Sequence, residues 1–200
     1  MSPPEERLKS PRLRLFVALD LPEPLLDALV EWRERCFAGV PGARLVPRSS
    51  LHVTLVFLGH QYERDVERIA DICFREAAGP FELRTTEATG IPPRRPRLYA
   101  LALEDEGDGV ATWQGELSSR LHAARLYEPE KRPFWAHVTL ARGKRDRALP
   151  GLEEPPPLPP DMREPFRCER ATLYRSTLTP RGAVYDSLAA VDLNEGTRMR

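Results

Sequence analysis

The tetrapeptide His-Val-Thr-Leu occurs twice in this chain, at residues 52–55 and 137–140. Each copy lies in a run of apolar, β-branched and aromatic residues, which is typical of a β-strand. In a strand, residues i and i+2 point to one face of the sheet, and residues i+1 and i+3 point to the other. Each copy therefore predicts a strand that buries Val and Leu and presents His and Thr together on its open face.

The predicted elements around the two copies repeat one order, which is a strand, then a helix, then a strand containing one of the histidines. The ranges are 12–20, 22–36 and 51–59 in the first half, and 97–104, 110–124 and 134–141 in the second. Between and after them we expect a helix over 62–77, a strand over 81–88 and a hairpin of strands over 166–177 and 183–193. This order predicts an α+β fold with two pseudo-symmetric lobes. We expect antiparallel or mixed sheets flanked by helices, with the active-site cleft between the lobes.

The chain is long enough for one domain of ordinary size. We expect a single bilobal domain over residues 12–193, with a flexible N-terminus over 1–11 and a C-terminal tail over 194–200. The proline-rich segment 150–165 has no periodic pattern, so we interpret it as an extended surface connection within the domain.

Composition excludes several classes of protein. Lys plus Arg (30) equals Asp plus Glu (30), so the chain lacks the net positive charge of a protein that coats nucleic acid. Any site that binds a polyanion is therefore a local basic patch. No apolar run approaches the roughly 20 residues that a membrane-spanning helix needs. The start lacks the pattern of a signal peptide, so we expect the chain to stay in the cytoplasm. We also expect a monomer. We interpret Cys36, Cys73 and Cys168 as buried thiols.

The two His-Thr pairs suggest a chemistry if the lobes face each other, because two imidazoles and two hydroxyls then converge on one cleft. Such a set suits a phosphodiester substrate. One neutral imidazole removes a proton from water, one imidazolium protonates the leaving oxygen, and the hydroxyls donate to the non-bridging oxygens. Histidine fits both roles because its pKa lies near neutrality. The candidate residues are His52, His137, Thr54 and Thr139.

Two other interpretations of the pair are open. Each histidine can satisfy a structural hydrogen bond on a half-buried strand, although the matched pair makes this less attractive than it is for a lone histidine. A zinc site is the second alternative, but no carboxylate or cysteine shares the face of the repeat, so we expect no metal and no cofactor. We expect His60 and His122 to be structural or to face the solvent.

Basic residues suggest where substrate phosphates bind. Arg142 follows His137 by five residues, and we place it just past the end of the strand, where its guanidinium can close over a phosphate. It belongs to a basic run that also contains Lys131, Arg132, Lys144, Arg145 and Arg147, against the single acidic residue Asp146. For Lys144, Arg145 and Arg147 a solvated run of charge is the better interpretation.

Two further groups remain ambiguous at this stage. Arg94, Arg95 and Arg97 form a second basic cluster among prolines, but a loop beside a strand is often charged. Phe57, Phe134 and Trp135 have rings that stack on nucleobases, but aromatic residues beside strands are more often part of the core.

Four segments of the chain resemble those of the bacterial and archaeal RNA 2′,3′-cyclic phosphodiesterases, within the 2H phosphoesterase superfamily. The segments are 14–22, 51–59, 132–142 and 173–176. The resemblance covers residues 12–193 and implies a two-lobed α+β enzyme that needs no metal. Such an enzyme hydrolyses a terminal 2′,3′-cyclic phosphate of RNA to a 2′-phosphomonoester.

The resemblance also implies roles for individual residues. His52 is expected to donate a proton to the leaving 3′ oxygen, and His137 to accept one from water. Thr54 and Thr139 are expected to hold the phosphate, and Arg142 matches a basic residue often seen after the second motif. The expected partner is an RNA end or a nucleotide that carries a cyclic phosphate.

Two rival functions stay open from the sequence. One is a cyclic phosphodiesterase that acts on a small nucleotide, such as ADP-ribose 1″,2″-cyclic phosphate, with the same four residues. The other is a non-catalytic module that binds RNA or nucleotides. Retention of both histidines argues against the second, because binding alone needs no matched acid and base.

Overall fold

The computed structural model describes residues 11–144, 147–150, 156–180 and 182–193. Nearly all of the expected flexible N-terminus, the whole tail over 194–200, and residues 151–155 of the proline-rich segment lie outside the described residues.

The described residues form nine strands and four α-helices. The strands are β1 (Arg12–Asp20), β2 (Ala43–Leu45), β3 (His52–Tyr62), β4 (Phe81–Ile91), β5 (Leu98–Glu104), β6 (His137–Gly143), β7 (Phe166–Cys168), β8 (Arg170–Thr179) and β9 (Gly182–Asp192). The helices are α1 (Glu23–Phe37), α2 (Val66–Phe74), α3 (Gly109–Ala123) and α4 (Pro160–Arg163).

The strands join into one sheet in the order β7-β4-β5-β6-β3-β1-β8-β9, with β2 paired to β6. All the pairings recorded among the described residues are antiparallel. The predicted α+β class is confirmed, and the sheet is antiparallel rather than mixed. Within the described part of the chain, the two halves of the sheet are bridged between β3 and β6 by one residue pair, Val53 with Val138.

The predicted repeat of strand, helix and His-containing strand is confirmed. The unit β1-α1-β3 in one half corresponds to β5-α3-β6 in the other, and β1 and β5 flank the central pair of strands on either side. The registers correspond as well. Ala18 lies opposite Thr54, and Ala100 lies opposite Thr139. The two His-Thr strands are therefore related by a pseudo-twofold axis between β3 and β6.

The helices pack through the apolar stripes that the sequence predicts. Leu29 and Trp32 of α1, and Trp113 and Leu117 of α3, are fully buried. The three cysteines are free and buried, as expected, and burial raises the pKa of each thiol. None of the helices formed by the described residues is long and apolar enough to cross a membrane.

The predicted boundary between the His52 strand and the following helix is wrong. The sequence suggests that the His52 strand ends at Gly59 and that a helix covers residues 62–77. Gly59 instead adopts a φ of +66° inside β3, where the pairing with β1 shifts by one residue. A glycine in this conformation forms a bulge without ending the strand. Because β3 continues to Tyr62, α2 begins only at Val66.

The expectation of an extended surface connection over 150–165 is also wrong for its described C-terminal part. Pro160 begins α4, and proline is favoured in the first turn of a helix because it lacks the amide hydrogen that is unpaired there. Met162 of this helix is 1% exposed, and Thr85 donates a hydrogen bond to its carbonyl. Trp32 donates to the carbonyl oxygen of Pro156 at 3.0 Å. This part of the segment therefore packs onto α1 and β4.

Candidate active site

The four residues of the two His-Thr pairs meet on one face of the sheet, at the junction of its two halves. Val53 lies opposite Val138, and both are buried against the core. Because side chains alternate along each strand, His52 and Thr54 point away from that core, as do the equivalent residues of β6. The antiparallel direction places each histidine near the level of the other strand's threonine. On β3 itself, His52 Nε2 lies 3.1 Å from Thr54 Oγ1.

A bulge brings Arg142 to the same face. Strict alternation after Thr139 would put Ala141 there, but the pairing of β6 with β5 shifts by one residue, and Leu140 and Ala141 are both buried. Arg142 therefore regains the orientation of Thr139. The expectation that Arg142 lies past the end of the strand is wrong, because β6 runs to Gly143.

The same irregularity occurs on β3, where it exposes Phe57. Leu55 and Val56 are both buried, and the pairing with β1 shifts beside them. Phe57 is therefore the pseudo-symmetric equivalent of Arg142, and its side chain is 50% exposed. Interpreting Phe57 and Trp135 as core residues is wrong, since Trp135 is 39% exposed. Phe134 does pack against the core.

His52 lies in an aromatic enclosure. Phe16 stacks on its ring with centroids 4.9 Å apart, and Tyr185 meets it edge-on at 5.4 Å. Burial, together with the nearby positive groups His137 and Arg142, lowers the pKa of His52 to about 4. A hydrogen bond to the backbone of Ser50 acts in the opposite direction. The imidazole of His52 is therefore neutral at pH 7.

His137 is held by its own strand. Its Nδ1 lies 2.8 Å from the carbonyl oxygen of Trp135, and the Trp135 ring stacks on the imidazole with centroids 4.4 Å apart. A carbonyl oxygen can only accept, so Nδ1 donates and Nε2 of the neutral ring keeps its lone pair. Burial lowers the pKa of His137, the hydrogen bond to Trp135 opposes this, and Arg142 adds a smaller lowering.

The two histidines share a second element of the pseudo-symmetry. Each hydrogen-bonds to the backbone of the residue two positions earlier, Ser50 for His52 and Trp135 for His137. These bonds fix the orientation of both rings before a substrate arrives. Two oriented imidazoles, one that accepts a proton and one that donates a proton, can carry out general acid-base chemistry. Sequence reasoning missed these contacts because any residue supplies the backbone groups.

Arg44 is a further residue that the sequence analysis missed. It lies directly opposite Arg142 in the pairing of β2 with β6, so the two side chains share a face. Neither arginine makes an ion pair with any residue that the structure describes. Like charges opposite each other in a sheet are unfavourable unless an anion offsets them. Gly182 leaves room for Arg44, because an added Cβ would lie 3.2 Å from its Nη1.

Asp20 lies beside His52 in the pairing of β1 with β3, but its carboxylate is engaged elsewhere. Thr172 Oγ1 and Tyr174 Oη donate to its two oxygens, each at 2.7 Å. This interaction anchors Tyr174, whose ring lies 6.1 Å from that of His52. Among the residues that the structure describes, no group of three or more His, Cys, Asp or Glu side chains is arranged to hold a metal ion.

The sequence matches one family model and several curated proteins. Residues 21–179 match the model of the 2′-5′ RNA ligase superfamily. The RNA 2′,3′-cyclic phosphodiesterase of Thermus thermophilus is 34% identical over 190 residues, which cover 90% of this chain and 90% of the relative. The protein of the same name from Escherichia coli is 28% identical over 165 residues, which cover 82% and 87%.

Solved structures show the same fold. A protein of Thermus thermophilus is 32% identical, with a TM-score of 0.75 over 90% of this chain and 98% of its own. Escherichia coli LigT complexed with 3′-AMP is 25% identical, with a TM-score of 0.77 over 92% of this chain and all of its own. The curled antiparallel sheet and its few helices are therefore shared with these proteins.

Proposed function

This chain belongs to the 2′-5′ RNA ligase superfamily, and on that basis we propose that it hydrolyses a terminal 2′,3′-cyclic phosphate of RNA to a 2′-phosphomonoester. The observation that carries the proposal is the convergence of two oriented imidazoles, two hydroxyls and Arg142 on one face of the sheet. Relatives named RNA 2′,3′-cyclic phosphodiesterase support the substrate class.

In the proposed reaction, His137 is the base. Its Nε2 accepts a proton from water as the oxygen attacks phosphorus, and the stacked Trp135 ring stabilises the imidazolium that forms. The bond from phosphorus to the 3′ oxygen breaks, and the 2′ oxygen keeps the phosphate. This assignment uses the tautomer of His137 that the Trp135 carbonyl selects.

His52 is the proposed acid, which protonates the departing 3′ oxygen. Its low pKa makes its imidazolium a strong donor, but the ring must first gain a proton. The negative charge of the bound phosphate favours that protonation, because it offsets the charge of Arg142. Thr54 and Thr139 donate to the non-bridging oxygens, and Arg142 binds the phosphate with its guanidinium. Phe57, exposed at the same face, offers a surface on which the terminal base can stack.

The test is incubation of the purified protein with an RNA that ends in a 2′,3′-cyclic phosphate, in excess chelator, followed by identification of the product end. We expect a 2′-phosphate to form at the same rate with and without chelator, because the residues in the proposed roles are all organic acids, bases and donors. RNA with a linear 3′-phosphate is the control and should not react. Loss of activity in EDTA that zinc or manganese restores would falsify the metal-free mechanism. Turnover of ADP-ribose 1″,2″-cyclic phosphate but not of RNA would favour the small-nucleotide alternative.

The proposed hydrogen bonds to phosphate predict moderate effects. Thr54→Val, Thr139→Val and Arg142→Ala should each lower kcat/KM by a factor that corresponds to about 1–3 kcal/mol, because each variant loses a hydrogen bond to a charged oxygen. Thr86→Val is the matched control, since Thr86 is an exposed strand residue that donates to the Ala102 carbonyl. Steady-state kinetics on the cyclic RNA end measures the effect. A rate for Thr54→Val or Thr139→Val equal to that of Thr86→Val contradicts the assignment of that hydroxyl.

The lowered pKa values predict an acidic optimum for kcat/KM. In the free enzyme, burial and Arg142 hold the pKa values of both histidines below the ordinary value of 6.5. The singly protonated pair that the reaction needs is therefore most populated below pH 6.5, and kcat/KM falls as the pH rises further. The kcat profile should lie at higher pH, because bound phosphate favours the imidazolium. Arg142→Gln should shift the kcat/KM optimum upward. A wild-type optimum above pH 7 is the contrary result.

A further inference from the structure

A basic cavity lies at one end of the active-site strands, outside the site described above. It has a volume of about 690 Å³ and is lined by Pro92, Arg95, Arg97, Arg147 and Ala148. Two loops form it, the one between β4 and β5 and the one after β6. The two basic clusters that the sequence leaves ambiguous thus meet around a single cavity.

The three arginines of this cavity carry uncompensated charge. They are exposed, and none of them makes an ion pair with any residue that the structure describes. Several other arginines of the chain do form ion pairs, such as Arg48 with Glu23 at 2.6 Å and Arg175 with Asp186 at 3.0 Å. Three guanidinium groups around one cavity, with no carboxylate among the described lining residues, form a site for a phosphate group.

Backbone hydrogen bonds fix the position of the two loops. Arg97 N donates to the Ile91 carbonyl at 2.7 Å, which closes the first loop. Leu149 N donates to the Pro96 carbonyl at 2.7 Å, which ties the second loop to the first. The cavity is therefore formed by the folded chain before any ligand binds.

The cavity lies beyond the end of β6 that carries Arg142. Leu98 pairs with Arg142 across β5 and β6, and Gly143 N donates to the Arg97 carbonyl at 2.8 Å. Arg97 is therefore the sequence neighbour of Leu98, the residue that pairs with Arg142. Thr139 precedes Arg142 by three residues, or about 10 Å of strand. Strand β6 therefore runs from the proposed phosphate position at Thr139, through Arg142, to the loop that carries Arg147.

The opposite end of the cleft has a different character. Beyond Phe57 lies a cavity of about 550 Å³ whose lining includes Arg125, Glu128 and Glu130. The negative charges of the two carboxylates there repel a phosphate group. A strand of RNA whose cyclic end occupies the cleft is therefore favoured by charge toward Arg142 and disfavoured toward Phe57.

We propose that the cavity formed by Arg95, Arg97 and Arg147 binds the phosphodiester on the 5′ side of the terminal nucleotide, so that the enzyme selects single-stranded oligonucleotides over mononucleotides. This inference rests on the proposed function, since it assumes that the cyclic end occupies the cleft. Guanidinium groups that bind the backbone add affinity without reading sequence.

The kinetic test compares three substrates in the wild type and in the triple variant Arg95→Ala/Arg97→Ala/Arg147→Ala. The substrates are adenosine 2′,3′-cyclic phosphate, the same compound with a 5′-phosphate, and a tri-adenylate with a 2′,3′-cyclic end. For the wild type we expect kcat/KM to rise from the first to the third. In the triple variant, the ratio of the third value to the first should fall about 10-fold or more. Arg68→Ala is the control, because Arg68 is an exposed arginine on α2.

A binding measurement separates this inference from the proposed function. Fluorescence anisotropy with a labelled tri-adenylate that ends in a 2′-phosphate needs no turnover. The triple variant should bind more weakly than Arg68→Ala, and its slope of log affinity against log salt should be shallower by about 0.7 for each phosphate that the variant no longer neutralises. Equal affinity and slope, or a wild type that does not distinguish the substrates by length, overturns the inference. Absence of turnover combined with the expected weaker binding refutes the proposed function and leaves the cavity as an RNA site.

Discussion

Replacement of either cleft histidine by alanine is expected to lower kcat on a 2′,3′-cyclic RNA end by about 10²–10⁴-fold, the usual contribution of a general acid or base. His52→Ala removes the proposed acid for the leaving oxygen, and His137→Ala removes the proposed base for water. Both side chains lie on the open face of the sheet, opposite the buried valines, so the fold should survive their loss. Steady-state kinetics and thermal unfolding measure the two effects separately.

The chain offers two matched controls for this prediction. His60 is exposed near the far end of β3, where it pairs with Arg14. His122 is exposed on α3, with its Nδ1 3.1 Å from the Tyr127 carbonyl oxygen. His60→Ala and His122→Ala should keep rates near that of the wild type. Near-wild-type turnover in His52→Ala or His137→Ala would remove that residue from the mechanism.

The roles of the two histidines can be separated by the leaving group, and here too the expected effect is large. An activated aryl phosphodiester departs without protonation, whereas a ribose oxygen does not. His52→Ala should therefore lose much less rate on an activated ester that binds the cleft than the roughly 10²–10⁴-fold expected on the RNA end. His137→Ala should stay slow on both substrates, because water must still be activated.

The contrary outcomes of this experiment are informative about the site. If the activated ester rescues His137→Ala and not His52→Ala, the two roles are reversed. If it rescues neither, both histidines position the substrate, and the mechanism moves toward electrostatic stabilisation by Thr54, Thr139 and Arg142. Measurement of kcat for the wild type and both variants on both substrates decides among these cases.

Much of the fold follows from periodicity in the sequence. The strand over 12–20 coincides with β1, and the stripe from Val110 to Leu121 lies within α3. Both elements bury a regular face, and a regular face leaves a regular pattern. The shared orientation of His52 and Thr54 was predictable for the same reason, because it needs only the alternation of a strand.

The rest of the site depends on interactions between distant strands. The bulges that turn Phe57 and Arg142 onto the open face are properties of paired strands, and no residue in either run marks them. Arg44 belongs to a three-residue strand whose position is set by β6. The hydrogen bonds that His52 and His137 make to Ser50 and Trp135 use backbone groups. Sequence reasoning therefore finds the residues that we propose as reacting groups but misses much of what surrounds and orients them.

The matched bulges have a consequence for the polarity of the bound substrate. A site with twofold symmetry would accept a cyclic phosphate in two orientations related by rotation, and the 2′ and 3′ oxygens would then leave with equal frequency. The bulges place two different side chains, Phe57 and Arg142, at corresponding points on either side of the axis. The two orientations then differ in binding energy. The nucleobase favours the side of the Phe57 ring, and the charged backbone favours the side of the Arg142 guanidinium. Under the proposed function, the regiochemistry of the product then depends on Phe57 and Arg142, two corresponding positions at which the halves of the chain differ.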